Sequence, residues 1–103
     1  MVYMNEKKIR KIVSEALNIF SQRGYPRKLD VFGVMELTDR IKTKVLKDKS
    51  ANVYILKATY SVVTRSMYLV LEIGNMLLKI DADDRFIIVT KYQLKEVKTI
   101  RVR

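Results

Sequence analysis

This chain of 103 residues contains no cysteine and no histidine, and it has only one proline and three glycines. Without cysteine there is no disulfide and no thiol nucleophile. Without histidine there is no imidazole acid–base pair and no zinc site of the usual kind. Any catalysis is therefore left to carboxylates holding a divalent metal, or to Lys, Arg and Tyr. Long apolar runs are missing too. None approaches the ~18 residues that a membrane helix needs, and the first residues lack the apolar segment of a signal peptide. The expectation is a soluble, cytoplasmic protein with no membrane partner.

Apolar residues make up 49% of the chain and charged residues 31%, a globular rather than disordered composition. Residues 1–103 suit one domain, large enough to bury roughly 65% of its unfolded surface. Lys plus Arg outnumber Asp plus Glu by 21 to 11, for a net charge of +10. Twelve basic residues face six acidic ones in residues 1–50, and nine face five in residues 51–103, so no separate tail holds the charge. A folded domain this basic is an electrostatic partner for phosphate backbones. The plainer reading is a Lys-rich solvated surface of the kind common in thermophile proteins.

Asn5 is placed as an N-cap, and Ile9, Ile12, Val13, Ala16, Leu17 and Phe20 follow at helical spacing. Gly24 supplies a stop, which predicts a helix over residues 6–23. Lys7, Lys8, Arg10 and Lys11 crowd its first turns, where the macrodipole favours anions, and a bound phosphate offsets that cost. Residues 29–47 admit a second helix, but Gly33 and the alternation Ile41, Thr43, Val45 favour two strands, over 29–35 and 40–47. Residues 47–50 then turn into a strand at 53–60, which reads as buried and central. Residues 61–84 have two solutions. Val63, Met67, Val70, Ile73, Leu77 and Ile80 keep helical spacing among good helix formers, whereas Gly74-Asn75 suits a tight hairpin turn. Residues 86–90 form an apolar strand expected to be buried on both faces, and Ile100 and Val102 belong to a further short strand.

With the helical choice, the order is helix, three-strand meander, helix, strand. This α/β order resembles the restriction-endonuclease-like core of the PD-(D/E)XK nuclease superfamily, which includes Holliday junction resolvases and Mrr-type endonucleases. Val53-Tyr-Ile-Leu-Lys-Ala-Thr-Tyr-Ser resembles the family's central strand with its Glu-x-Lys, and Arg85-Phe-Ile-Ile-Val-Thr-Lys-Tyr resembles the strand after its second helix. The resemblance implies a catalytic set of Asp39 (or Asp30), Lys57 and Glu15. In either register one carboxylate is missing: Lys57 replaces the Glu, or Ile55 does. A Lys ammonium repels the cation that a carboxylate would bind. The resemblance thus implies a catalytically degenerate member with no cofactor, Mg²⁺ returning only if a migrated carboxylate such as Glu36 or Glu72 restores the site. The implied function is nucleic-acid binding, DNA foremost, through Lys7, Lys8, Lys11, Lys57, Arg85 and Lys91, with a homodimer possible as in the resolvases.

The hairpin choice leads elsewhere. An antiparallel sheet behind N-terminal helices looks like the small RelE/BrnT-type toxins, which cleave RNA without a metal and here would draw on Lys79, Arg85, Lys91 and Tyr92. A third reading is a non-enzymatic module that binds a protein partner through Tyr3, Tyr25, Tyr54, Tyr60, Tyr68 and Tyr92.

Overall fold

A computed structural model describes residues 4–93. Helix α1 (Glu6–Gln22) starts where Asn5 accepts a hydrogen bond from the Lys8 amide at 2.9 Å, and it ends before Gly24 at φ +75°. Its stripe of Ile9, Ile12, Val13, Ala16, Ile19 and Phe20 is buried. Helix α2 (Val31–Arg40) runs into one turn of π-helix (Ile41–Val45), closed by the Leu46 amide on the Ile41 carbonyl. Four strands follow, β1 (Val53–Ser61), β2 (Ser66–Ile73), β3 (Met76–Ala82) and β4 (Ile87–Gln93). They pair antiparallel in the order β1-β2-β3-β4.

The α/β class expected from the sequence is present, but the order of elements differs from helix, meander, helix, strand. Residues 29–47 are helical, not two strands. Asp30 caps α2 by accepting from the Gly33 amide at 2.7 Å, one of the orphan donors of a helix start. Leu37, Ile41 and Val45 are buried at steps of four, a helical stripe that the β-branched alternation concealed. Thr38 and Thr43 donate their hydroxyls to the carbonyls of Val34 and Asp39, four residues back, which satisfies them inside a helix. Gly33 is there for space rather than for flexibility. A Cβ would meet Arg23 Nε at 3.1 Å and both Asp30 Oδ1 and the Leu29 side chain at 3.2 Å.

Residues 61–80 are a hairpin, not a helix. Met67, Leu69, Leu71 and Ile73 alternate inward along β2, and Leu78, Ile80 and Ala82 do so along β3, the period of two that a half-buried strand requires. Gly74 at φ +60° and Asn75 join Ile73 to Met76 in a two-residue turn, whose positive φ at the first central position favours glycine.

Both helices lie on one face of the sheet and share with it a single apolar core. No polar or charged residue is buried there among the described residues. Strand β1 is an edge, not the centre, although Lys28 bridges Thr59 and the Tyr60 amide donates to the Arg27 carbonyl at 3.0 Å. Strand β4 is the other edge. Its Ile88 is 60% exposed, so it is not buried on both faces. The strand expected around Ile100 and Val102 lies outside the described residues.

Candidate functional site

The second face of the sheet has no layer over it among the described residues, and its side chains form a grid. One row across the strands is Tyr54, Glu72, Leu77 and Tyr92; the next is Lys57, Val70, Lys79 and Thr90; the third is Thr59, Tyr68, Asp81 and Ile88. Tyr54 is 60% exposed, and Leu56 and Ile88 are similarly open. The Lys57 ammonium sits over the Tyr68 ring, 5.6 Å from its centroid, and Lys79 sits over Tyr92 at 5.4 Å. Each is a cation held at a π-face, an arrangement worth about 0.5–1 kcal/mol at an exposed site.

Lys57 owes this position to a bulge. The β1–β2 pairing runs Ile55 to Leu71 and then Lys57 to Val70, so Leu56 is an extra residue. The alternation therefore shifts, and Ile55 does not share a face with Lys57. Ile55 packs against the core with Val53, whereas Lys57 and Thr59 point away from it and Ala58 turns in. Local crowding and twist at a bulge re-aim side chains in this way.

At the β1–β2 end of this face lies a cleft of about 630 Å³, lined by Arg27, Lys57, Thr59, Tyr68 and Asp81 among others. Arg27 reaches it because residues 27–29 pair along the free edge of β1. Neither Arg27 nor Lys57 forms an ion pair among the described residues, whereas Arg10, Arg23, Arg40 and Lys44 all do.

The residues proposed as catalytic are not brought together. Glu15 lies on α1 and pairs with Arg40 at 3.4 Å and Lys44 at 3.9 Å. Arg40 also bonds Asn18 and Gln22 on α1 and holds Glu36, one turn back on its own helix, at 2.8 Å, so this arginine ties α2 to α1. Asp39 is exposed in the last turn of α2, and Asp30 is the cap of that helix. Lys57 and Glu72 stand on the open face, across the sheet from all of these. No group of three or more acidic side chains converges to hold a metal among the described residues. The carboxylates offered for Mg²⁺ thus do not fit that role as a set.

The basic residues are divided as well. Lys7 and Lys8 lie in the first turns of α1, and Lys11 donates to the Lys44 carbonyl at 3.4 Å. All three belong to the helical side. Lys91 lies on the helix-facing side of β4 and donates to the Met4 carbonyl at 3.2 Å. Arg85 sits in the β3–β4 turn, where Asp83 accepts from the Arg85 and Phe86 amides. Of the expected nucleic-acid contacts, only Lys57 stands on the open face. Arg27 and Asp81 were missed, and Tyr68 was named only for a protein interface, because their convergence depends on the edge bridge and the cross-strand register, neither of which has a local sequence signal.

No protein-family model, curated protein or solved structure matches this chain. No helix among the described residues is long and apolar enough to cross a membrane.

Proposed function

We propose that this protein binds nucleic acid, with the open face of its sheet as the contact surface and Arg27 and Lys57 as phosphate ligands. The observation that supports this most is a pair of cations that have no carboxylate partner among the described residues, beside an accessible tyrosine. They stand at a sheet face with no layer over it among the described residues, in a chain of net charge +10. Arg presents a planar fork to phosphate and Lys a point charge. The remaining positive charge steers the polyanion in. Contacts of this kind follow the backbone and carry no sequence information.

The test is a fluorescence-anisotropy titration of the intact chain against labelled DNA and RNA, in salt from about 50 to 200 mM. Affinity should fall steeply with salt, and Arg27→Ala or Lys57→Ala should each reduce the log–log slope by about one. The melting temperature of Arg27→Ala should stay unchanged, and that of Lys57→Ala should fall only by what its contact with the Tyr68 ring contributes, about 0.5–1 kcal/mol. A chain indifferent to polyanions at low salt, or a slope unmoved by both substitutions, rejects the reading.

A second reading is a metal-independent ribonuclease like the RelE/BrnT-type toxins. It is favoured by the helix, helix, hairpin order and by Lys79 meeting Tyr92 on the face that also carries Glu72. RNA cleavage persisting in a chelator and abolished by Lys79→Ala supports it. Intact RNA after long incubation leaves binding alone.

A further inference from the structure

We propose that the cleft beside β1 and β2 takes one unpaired nucleotide, with its phosphate between Arg27 and Lys57, its base on the Tyr68 ring and Asp81 at the base edge. This inference rests on the nucleic-acid reading and names the form of nucleic acid that the site selects.

Three features favour an unpaired strand. The first is Tyr68. Its ring is half-buried, held by the sheet, and faces the cleft. A ring standing on a sheet meets the π-face of a base only when that base is unstacked, which a duplex does not allow without flipping. The Lys57 ammonium now lies over that ring at 5.6 Å. A base stacked there takes the same face, and the flexible lysine swings to the phosphate of the same nucleotide.

The second feature is Asp81, which pairs directly across from Tyr68 and lines the same cleft. A carboxylate repels phosphate, so this wall does not serve the backbone. It accepts hydrogen bonds from the N–H groups of a base edge, and those groups are occupied by the opposite strand when the base is paired. Cations at one wall and an acceptor at the other give the cleft a phosphate end and a base end. Thr59, across from Tyr68 on β1, lines the same cleft with a hydroxyl able to donate or accept. The third feature is size. About 630 Å³ falls within the range of about 300–1,000 Å³ typical of small-molecule sites.

The experiment compares a single-stranded oligonucleotide with the duplex of the same sequence, at one low salt concentration, using the intact chain and three variants. Single strands should bind at least about tenfold tighter than duplex. Tyr68→Leu should weaken single-strand binding by about 5- to 100-fold while leaving duplex affinity and the salt slope in place. Tyr68→Phe should retain wild-type binding, since the ring does the work and not the hydroxyl. Asp81→Asn should change the order of preference among homopolymers. Circular dichroism confirms that each variant is folded. Duplex bound as tightly as single strand, with Tyr68→Leu silent and a steep salt slope intact, overturns the cleft while sparing the phosphate reading. No binding to either form overturns both.

Discussion

Leu69, Leu71, Leu78 and Ile80 are sealed beneath the helices, while Tyr68, Val70, Leu77 and Lys79, one residue away along the same strands, stand on a face that has no covering layer among the described residues. The two faces divide the work of the molecule. The inner one excludes water and supplies the hydrophobic stabilisation. The outer one mixes three tyrosines, two lysines and two carboxylates, a composition that contributes little to folding. The helical layer differs again: its arginines are tied to carboxylates, whereas Arg27 and Lys57 on the open side have no such partner among the described residues.

Neighbouring substitutions on β3 sharpen this contrast most. Leu78→Ala, fully buried, should cost about 2–5 kcal/mol in urea denaturation, whereas Lys79→Ala next to it should cost no more than about 1 kcal/mol, the worth of its contact with Tyr92. Equal losses would break the division into a structural and a binding face. Arg40→Ala removes the clamp on Glu15, Asn18, Gln22 and Glu36 from a side chain that is only 17% exposed. A loss of about 1–2 kcal/mol is expected, read from the same denaturation curve, with nucleic-acid affinity unchanged. Asp30→Ala removes the cap of α2 and should cost about 1 kcal/mol, visible as a lower melting temperature.

The smallest effect concerns pH. The Phe86 and then the Arg85 amide donate to Asp83 and hold its carboxyl below the ordinary value of 3.8. A depressed folded-state pKa stabilises above the unfolded value and loses that contribution as pH falls through the folded one. Amide exchange at Arg85 and Phe86 should therefore accelerate only below about pH 3.8. Asp83→Asn should flatten that dependence, and protection unchanged down to strongly acid pH would sink it.

How much of this was legible from the sequence varies by element. Helix α1 was, because its apolar stripe, Asn5 and Gly24 all agree. Segment 29–47 was not, since Ile41, Thr43 and Val45 satisfy both a strand and a helix, and only Asp30 and the threonine hydroxyls decide between them. The β2–β3 hairpin was blurred by Val70 and Leu77, apolar residues on the solvent face that complete a false helical spacing. Of the site, Lys57 was visible as a lone charge in an apolar strand. Glu15 drew attention as an acid at mid-helix, but its role is to hold Arg40 and Lys44. Arg27 carried no mark at all, because it reaches the cleft only through the edge bridge to β1.

The bulge between Ile55 and Lys57 makes chain length itself a determinant here. Because Leu56 is the extra residue, deleting it would leave Ile55 opposite Leu71 and Lys57 opposite Val70, and would keep Ala58, Thr59, Tyr60 and Ser61 on the sides they occupy now. A deletion at this spot should therefore be tolerated better than one further along β1, where no spare residue absorbs the change and the later side chains would exchange faces.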